Sequence, residues 1–193
     1  MTKIPAAQIS TAGLKPTRAA LVEGAAAQFN TVGYFGTDTN KIARAAGFAP
    51  QTFYRHFTDK MDIFLAVYEG WQAFEREALA FASRGANVER DIAKALLSHH
   101  RQWRVFRRSL RMLAVDDDQA RRARAFSRER QLAGLAKLTT NSGRSRADLL
   151  ASLLCVERLC DSAADGELAD LGLNDKDALE LVVAAVHASR AKP

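Results

Sequence analysis

The sequence predicts an all-α protein, and composition and spacing both support this. Ala, Leu and Arg are abundant and Pro is sparse, a balance that favours helices because the favoured side chains lose little freedom there. Apolar residues recur every three or four positions, and no strand-like alternation or hairpin turn is evident. We therefore expect a chain of helices joined by short loops.

The first expected helix follows an N-terminal stretch, residues 1–15, which lacks periodicity and is predicted to be a mobile arm. Leu21, Ala25 and Phe29 are four residues apart and would line one helical face. Gly33 is placed where a helix end requires a left-handed residue. A helix that starts near Thr17 and ends before Gly33 is therefore predicted.

Two short helices are expected next, because capping residues and glycines bound them. Asp38 is a suitable N-cap for a helix over residues 39–46, and Gly47 would end it. Pro50 suits the first turn of a third helix, where its missing N–H is no loss. This third helix is predicted to run to about Phe57.

The remaining helices are predicted from the same signals. Asp59 would cap a long fourth helix. The expected spans are 60–83, 88–114, 118–141, 146–165 and 175–191.

The charge distribution indicates what kind of partner the protein binds, and the cysteines indicate the cell compartment in which it acts. Residues 1–60 carry seven Lys or Arg against three Asp or Glu, so much of the net charge of +6 lies in the first third. An excess of positive charge there suits a polyanion such as DNA. The spacing of Cys155 and Cys160 fits neither a redox pair nor a zinc site, and no apolar run suits a membrane span. We expect a soluble, cytoplasmic protein with reduced thiols.

The segment from Gly33 to Lys60 has the plan of a helix-turn-helix. Ile42, Ala43 and Phe53 would let two short helices cross closely. Polar residues on the outer face of the second of these helices would be free to enter a major groove. The candidates for that face are Gln51, Thr52, Arg55 and His56.

Residues 17–68 resemble the DNA-binding domain of the TetR family of transcriptional regulators. The resemblance rests on Phe29 before Gly33-Tyr34, on Ile42-Ala43 with Ala45-Ala46-Gly47, on Thr52-Phe53-Tyr54 followed by Phe57, and on Lys60. It implies a helix-turn-helix domain over residues 16–60 and a helical ligand-binding and dimerisation domain over residues 61–193.

The resemblance also implies roles for individual residues. Tyr54 would contact a phosphate through its hydroxyl, and Thr52 would contact a phosphate or a base. Gln51 would suit adenine and Arg55 guanine, although a phosphate contact is the more common role for an arginine. The whole predicted DNA-binding set is Thr39, Asn40, Pro50, Gln51, Thr52, Tyr54, Arg55, His56 and Lys60.

Two residues depart from the pattern of the family. Ala49 occupies a position where a capping serine is common, so the third helix would depend on Pro50 for its start. Asp38 stands where the family often has threonine, and its charge would repel a phosphate.

The later helices are expected to supply a dimer interface and an effector site. Wide apolar faces on the last two long helices predict a four-helix interface between two copies, or else packing within one chain. The interface set is Leu149, Leu153, Val156, Leu179, Val182, Val183 and Val186. The candidate effector-site set is Trp71, Phe74, His99, Trp103, Phe106, Arg107, Phe126 and Cys155.

The arginine-rich segment 101–111 allows two interpretations. Its guanidinium groups could form a solvated face that pairs with the acidic residues 116–118 and Glu129, or one of them could turn inward to hold an anionic ligand.

These features together predict a ligand-responsive repressor that binds a palindromic operator as a homodimer, and that is released by a small molecule. No cofactor, metal site or catalytic set is expected. The alternatives are a helical interaction module that has lost specific DNA binding and, in a different class, an all-helical enzyme.

Overall fold

A computed structural model describes residues 9–138 and 143–190 of the chain. Over these residues the secondary structure is helical and contains no strand, which confirms the all-α prediction. The helices are α1 (Pro16–Val32), α2 (Thr39–Ala45), α3 (Pro50–Tyr54), α4 (Lys60–Ala82), α5 (Val88–Gln102), α6 (Arg104–Asp116), α7 (Asp118–Leu138), α8 (Arg146–Asp165), α9 (Glu167–Asp170) and α10 (Asp175–Arg190). Within the described residues, no helix is both long and apolar enough to cross a membrane.

The helices form two compact units. The first contains the described residues up to 76 together with residues 105–121, and the second contains residues 77–104 and the described residues from 122 onward. Most of α6 thus belongs to the same compact unit as the N-terminal helices. The predicted boundary at residue 60 separates a DNA-binding domain from a ligand-binding and dimerisation domain, and it stays a prediction.

The first unit is built around aromatic side chains from α1, α4 and α6. The ring of Phe64 has no solvent exposure and lies 5.0 Å from Phe29 and 4.8 Å from Phe106, measured between ring centroids. Tyr34, just after α1, packs edge-on against Phe64 at 5.2 Å. Rings at these separations bury large apolar areas, so this cluster holds α1, α4 and α6 together.

Close contact between α1 and α2 depends on a glycine in the middle of α1. A Cβ atom on Gly24 would lie 2.9 Å from the Cβ of Ala46 and 3.0 Å from its backbone nitrogen. Glycine normally weakens a helix interior, but here it permits the two helices to approach. The predicted core residues of α2 and α3, Ile42, Ala43 and Phe53, are fully buried.

The second unit has a core formed where α5, α8 and α10 pack together. Its buried side chains include Leu97 on α5, Cys160 on α8, and Val182 and Val186 on α10. Val182 and Val186 were predicted to lie in the dimer interface, and this part of the prediction is wrong. Their exposed fractions are 0% and 3%, so they have no surface to offer to a second chain.

The same correction applies to Leu149, which is 6% exposed. Three more of the predicted interface residues, Val156, Leu179 and Val183, are partly buried against the same internal core. Leu153 is also partly buried. The apolar faces of α8 and α10 therefore serve the chain's own packing first.

A buried polar pair joins α5 to α8 inside the second unit. Nδ1 of His100 lies 2.9 Å from Oδ1 of Asp161. Both residues are at least 95% buried. A carboxylate this far from water needs such a partner, because burying an uncompensated charge is costly.

Several boundaries differ from the predicted ones, and three of the differences matter here. The helix expected over residues 88–114 is divided at Trp103, whose φ of −106° and ψ of 21° leave the helical range. The third helix ends at Tyr54 and not near Phe57, so Arg55 and His56 lie in the turn that follows it. The first helix starts at Pro16, with Lys15 rather than Thr17 at its N-cap position.

Part of the predicted mobile arm makes specific contacts. The backbone N–H of Ser10 donates to the carbonyl of Gly70 on α4 at 3.1 Å. The hydroxyl of Thr11 donates to the carboxylate of Glu23 at 3.3 Å. Residues 10 and 11 are therefore attached to the first unit.

Candidate nucleic-acid interface

The outer surface of α2 and α3 presents polar side chains above a buried apolar layer. Gln51, Tyr54 and Arg55 are exposed, and Tyr54 retains 60% of its surface, whereas the neighbouring Phe53 is fully buried. Asn40 at the start of α2 is also exposed. This arrangement is the one required of a helix-turn-helix, in which the outer face must be free to approach DNA.

Two hydroxyl groups join α2 to α3 at this surface. The hydroxyl oxygens of Thr39 and Tyr54 are 3.0 Å apart, within hydrogen-bond distance. Thr39, Pro50, Thr52 and His56 are half-buried. All four nevertheless belong to the two short helices or to the turn after α3, as do the other predicted DNA-contact residues except Lys60.

The capping of the two short helices follows the sequence prediction. One carboxylate oxygen of Asp38 accepts a 2.8 Å hydrogen bond from the backbone N–H of Lys41, which confirms Asp38 as the N-cap of α2. The other carboxylate oxygen lies 3.7 Å from the ammonium of Lys41, so the negative charge has a cation beside it. Ala49 provides no cap for α3, and Pro50 is its first residue.

The charged cap makes the stability of α2 depend on pH. The hydrogen bond from the Lys41 backbone is the main reason that the pKa of Asp38 lies below its ordinary value. A lowered folded-state pKa contributes stability that is present above the unfolded-state pKa of about 4 and is lost as pH falls through the folded-state value. Because asparagine caps equally well but does not titrate, Asp38→Asn should remove this dependence.

The measurement for Asp38→Asn is thermal unfolding of the variant and the wild type between neutral pH and about pH 2.5. We expect the Tm of the wild type to fall slightly relative to that of Asp38→Asn as the pH falls below about 4. A difference in Tm that stays constant over the whole range would contradict the prediction.

Residues that the sequence analysis did not assign to the site also position it. The guanidinium of Arg18 on α1 donates to the backbone carbonyl of His56 and stacks on the ring of Phe57, 4.0 Å from the ring centroid. These contacts fix the turn after α3 against α1. An arginine in the first turn of an amphipathic helix carries no sequence signal that distinguishes this role from solvent exposure.

Lys60 differs most from its predicted role as a phosphate contact. Its ammonium donates to the carbonyl of Tyr34 at 3.0 Å and to the carbonyl of Thr37 at 3.1 Å. It also lies 4.2 Å from the centroid of the Tyr34 ring. The side chain is thus directed at the loop between α1 and α2.

The comparisons with known proteins agree with this geometry. Residues 21–67 match the model of a family described as bacterial regulatory proteins, tetR family, and this range contains α2, α3 and most of α1. Residues 21–67 therefore form a helix-turn-helix domain of the tetR type.

Solved structures resemble this chain over most of its length. A TetR-family regulator from Rhodococcus sp. superposes with a TM-score of 0.72 at 18% identity, covering 91% of this chain and 98% of the other. A TetR-family regulator from Mesorhizobium loti gives a TM-score of 0.64 at 24% identity, with coverages of 90% and 94%. FadR from Bacillus halodurans, a regulator of fatty acid degradation, gives a TM-score of 0.68 at 16% identity, covering 92% of this chain and 96% of the other. No curated protein matches the sequence. At these identities the similarity shows the fold.

The predicted effector-site residues occupy different environments. In the first unit, Trp71, Phe106 and Arg107 are buried and Phe74 is half-buried. In the second unit, His99 and Trp103 are buried. Phe126 is 64% exposed and Cys155 is also exposed, so these two do not line the interior of that unit and that part of the prediction is not supported.

One of the clustered arginines does turn inward. Arg107 is 5% exposed, and its guanidinium carbon lies 5.0 Å from the centroid of the Trp71 ring. Arg101 instead pairs with Asp175 at 2.6 Å, on an exposed part of the second unit. Arg101 is thus paired with an acidic residue other than the predicted 116–118 and Glu129, and the binding of an anion by Arg107 stays a prediction.

Proposed function

We propose that this chain is a TetR-family transcriptional regulator, a repressor that binds a palindromic operator as a homodimer and leaves it when a small molecule binds. The observation that carries the proposal is the exposure of Gln51, Tyr54 and Arg55 above the buried Phe53. The protein would act in the cytoplasm without catalytic activity or a cofactor.

The side chains of the interface suit different parts of a DNA duplex. The amide of Gln51 matches the donor and acceptor of adenine, and the guanidinium of Arg55 matches the two acceptors of guanine. Tyr54 and Thr39, whose hydroxyl oxygens are 3.0 Å apart, suit one phosphate group. Base contacts would specify the sequence, and phosphate contacts would fix the orientation of the domain.

A dimer follows from the small size of the interface. One pair of short helices reaches few base edges, whereas two copies can occupy half-sites about 34–36 Å apart on one face of DNA. Leu154 on α8 and Leu181 on α10 are 38% and 40% exposed, on helices that pack against each other. They replace the buried Val182 and Val186 as proposed interface residues.

Release by a small molecule would act through a shift between two conformations of the protein. Release of DNA would then require that the effector bind more tightly to a conformation with low operator affinity.

The test of the DNA-binding proposal is a salt-titrated binding measurement on the DNA upstream of the protein's own gene and on a duplex enriched from a random library by the wild-type protein. A scrambled duplex gives the nonspecific reference. We expect the double variant Tyr54→Phe, Arg55→Ala to lose roughly 10- to 100-fold in affinity for the preferred duplex. Arg84→Ala, which removes an exposed charge from the second unit, should bind like the wild type.

Each outcome discriminates between the candidate functions. A preference for the enriched duplex that disappears in the double variant supports the regulator. Equal, salt-sensitive binding of the enriched and scrambled duplexes indicates only general attraction between charges, and favours the interaction module that has lost specific recognition.

A further inference from the structure

Lys60 occupies the junction between α4 and the loop that precedes α2. It is the first residue of α4, and its ammonium extends back to the carbonyls of Tyr34 and Thr37. The ring of Tyr34 covers a further side of the ammonium at 4.2 Å. The two carbonyls and the ring together form a socket, which here means the site made by Tyr34 and Thr37.

The socket occupies most of the hydrogen-bond donors of the Lys60 ammonium. An ammonium has three N–H donors, and two of them are used on backbone carbonyls. Burial lowers the pKa of Lys60 from its ordinary value, while the nearby charge of Asp38 acts in the opposite direction. A direct bond to a DNA phosphate would have only the third N–H available, or would have to break a contact that the side chain already makes.

The loop held by Lys60 leads directly to the DNA-contact surface. The side chain of Thr37, which is 4% exposed, donates to the side-chain oxygen of Gln28 on α1 at 3.1 Å. The next residue is Asp38, the cap of α2. After it comes Thr39, whose hydroxyl meets that of Tyr54 on α3. The start of α4 is thereby connected to both short helices through consecutive residues of one loop.

We propose that Lys60 is a positioning residue for DNA recognition: it fixes the loop 34–37, and through it the start of α2, and it does not bind a phosphate. The proposal rests on the operator binding proposed above and replaces the role that family resemblance implies for this lysine. Its consequence is specific. Loss of the ammonium should harm discrimination between DNA sequences more than general attraction to DNA.

The first test uses the free protein, in which a phosphate contact cannot matter. Lys60→Met keeps most of the side chain but removes the ammonium. Amide hydrogen exchange at Lys41 and Ile42, which bond to Asp38 across the first turn of α2, should become roughly tenfold faster. Lys94→Met, which removes an exposed charge from α5, is the matched control and should leave these rates unchanged. Unchanged exchange in Lys60→Met would overturn the proposal.

The second test separates positioning from phosphate binding on DNA. On the enriched duplex, Lys60→Met should bind roughly tenfold more weakly, while its affinity for the scrambled duplex and the salt dependence of that affinity stay at wild-type values. A lost phosphate contact would instead weaken binding to both duplexes alike and lower the salt slope by about one. That result would overturn the proposal.

Two further outcomes are distinguishable. If the wild type shows no preference for the enriched duplex, the proposed operator function fails, and the exchange rates still decide whether Lys60 holds the loop.

If circular dichroism shows that Lys60→Met is unfolded, Lys60→Gln serves in both tests, because its amide retains a donor on a shorter stem. Its exchange rates should lie between those of the wild type and those of the Asp38→Ala variant, which lacks the cap.

Discussion

Replacing Asp161 with alanine is expected to lower the free energy of unfolding by about 3 kcal/mol. The substitution removes the carboxylate that lies 2.9 Å from Nδ1 of His100, and both residues are at least 95% buried. The imidazole would have to remain in the core without this carboxylate or draw water into it. Urea unfolding followed by circular dichroism measures the loss.

Two comparison variants isolate the contribution of the Asp161–His100 pair. Asp161→Asn keeps an oxygen that can accept a hydrogen bond from the imidazole, so it should lose less than half as much stability. Asp170→Ala removes an exposed carboxylate at the end of α9 and should change the free energy of unfolding by no more than about 0.5 kcal/mol. If Asp161→Ala were as stable as Asp170→Ala, the pair would contribute nothing to folding.

Phe64→Ala is expected to cost about 3–5 kcal/mol, the largest loss of any single substitution considered for the first unit. The ring is completely buried, with Phe29, Tyr34 and Phe106 around it at centroid distances between 4.8 and 5.2 Å. Its removal leaves a cavity that three large side chains cannot fill without leaving their rotamers. DNA binding should weaken as well, because Tyr34 also contributes to the Lys60 socket.

Phe81→Ala provides the matched control for Phe64→Ala. It removes the same side chain from α4, but at a position that is 78% exposed. Denaturant unfolding should therefore show a change of no more than about 0.5 kcal/mol. Equal effects of the two substitutions would mean that the aromatic cluster does not support the first unit.

The sequence predicted the helix-turn-helix well because its signals are local. The cap at Asp38 and the buried positions Ile42 and Phe53 each depend on neighbours within a few residues, and the structure confirms all three. The exposure of Gln51 follows from the helical spacing of α3, and Arg55 is exposed in the turn after it. Strong local signals of this kind need no knowledge of the rest of the fold.

The break at Trp103 could not be predicted, because no local signal marks it. Neither glycine nor proline lies between Arg101 and Asp116, and the apolar spacing continues through the break. The indole of Trp103 is fully buried. The reason for the change of direction therefore lies in tertiary packing, which overrides helix propensity.

The interface prediction was wrong in part because an apolar face does not reveal what covers it. Val182 and Val186 repeat at helical spacing, as they would in a dimer, but the structure places them against α5 and α8 of the same chain. For Lys60, likewise, the sequence does not reveal which groups the side chain contacts. A lysine at a helix start can extend outward or back to backbone carbonyls, and only the structure distinguishes the two.

The positions of the two tryptophans make the protein suited to measurement without a label. The chain contains only Trp71 and Trp103, and one is placed in each compact unit. Both are almost completely buried, so each indole should change its emission when its own unit opens to water. Single-tryptophan versions, made with Trp71→Phe or Trp103→Phe, would report separately on the unit that contacts DNA and on the other unit. A difference in unfolding midpoint between them would measure the cooperativity of the two units directly.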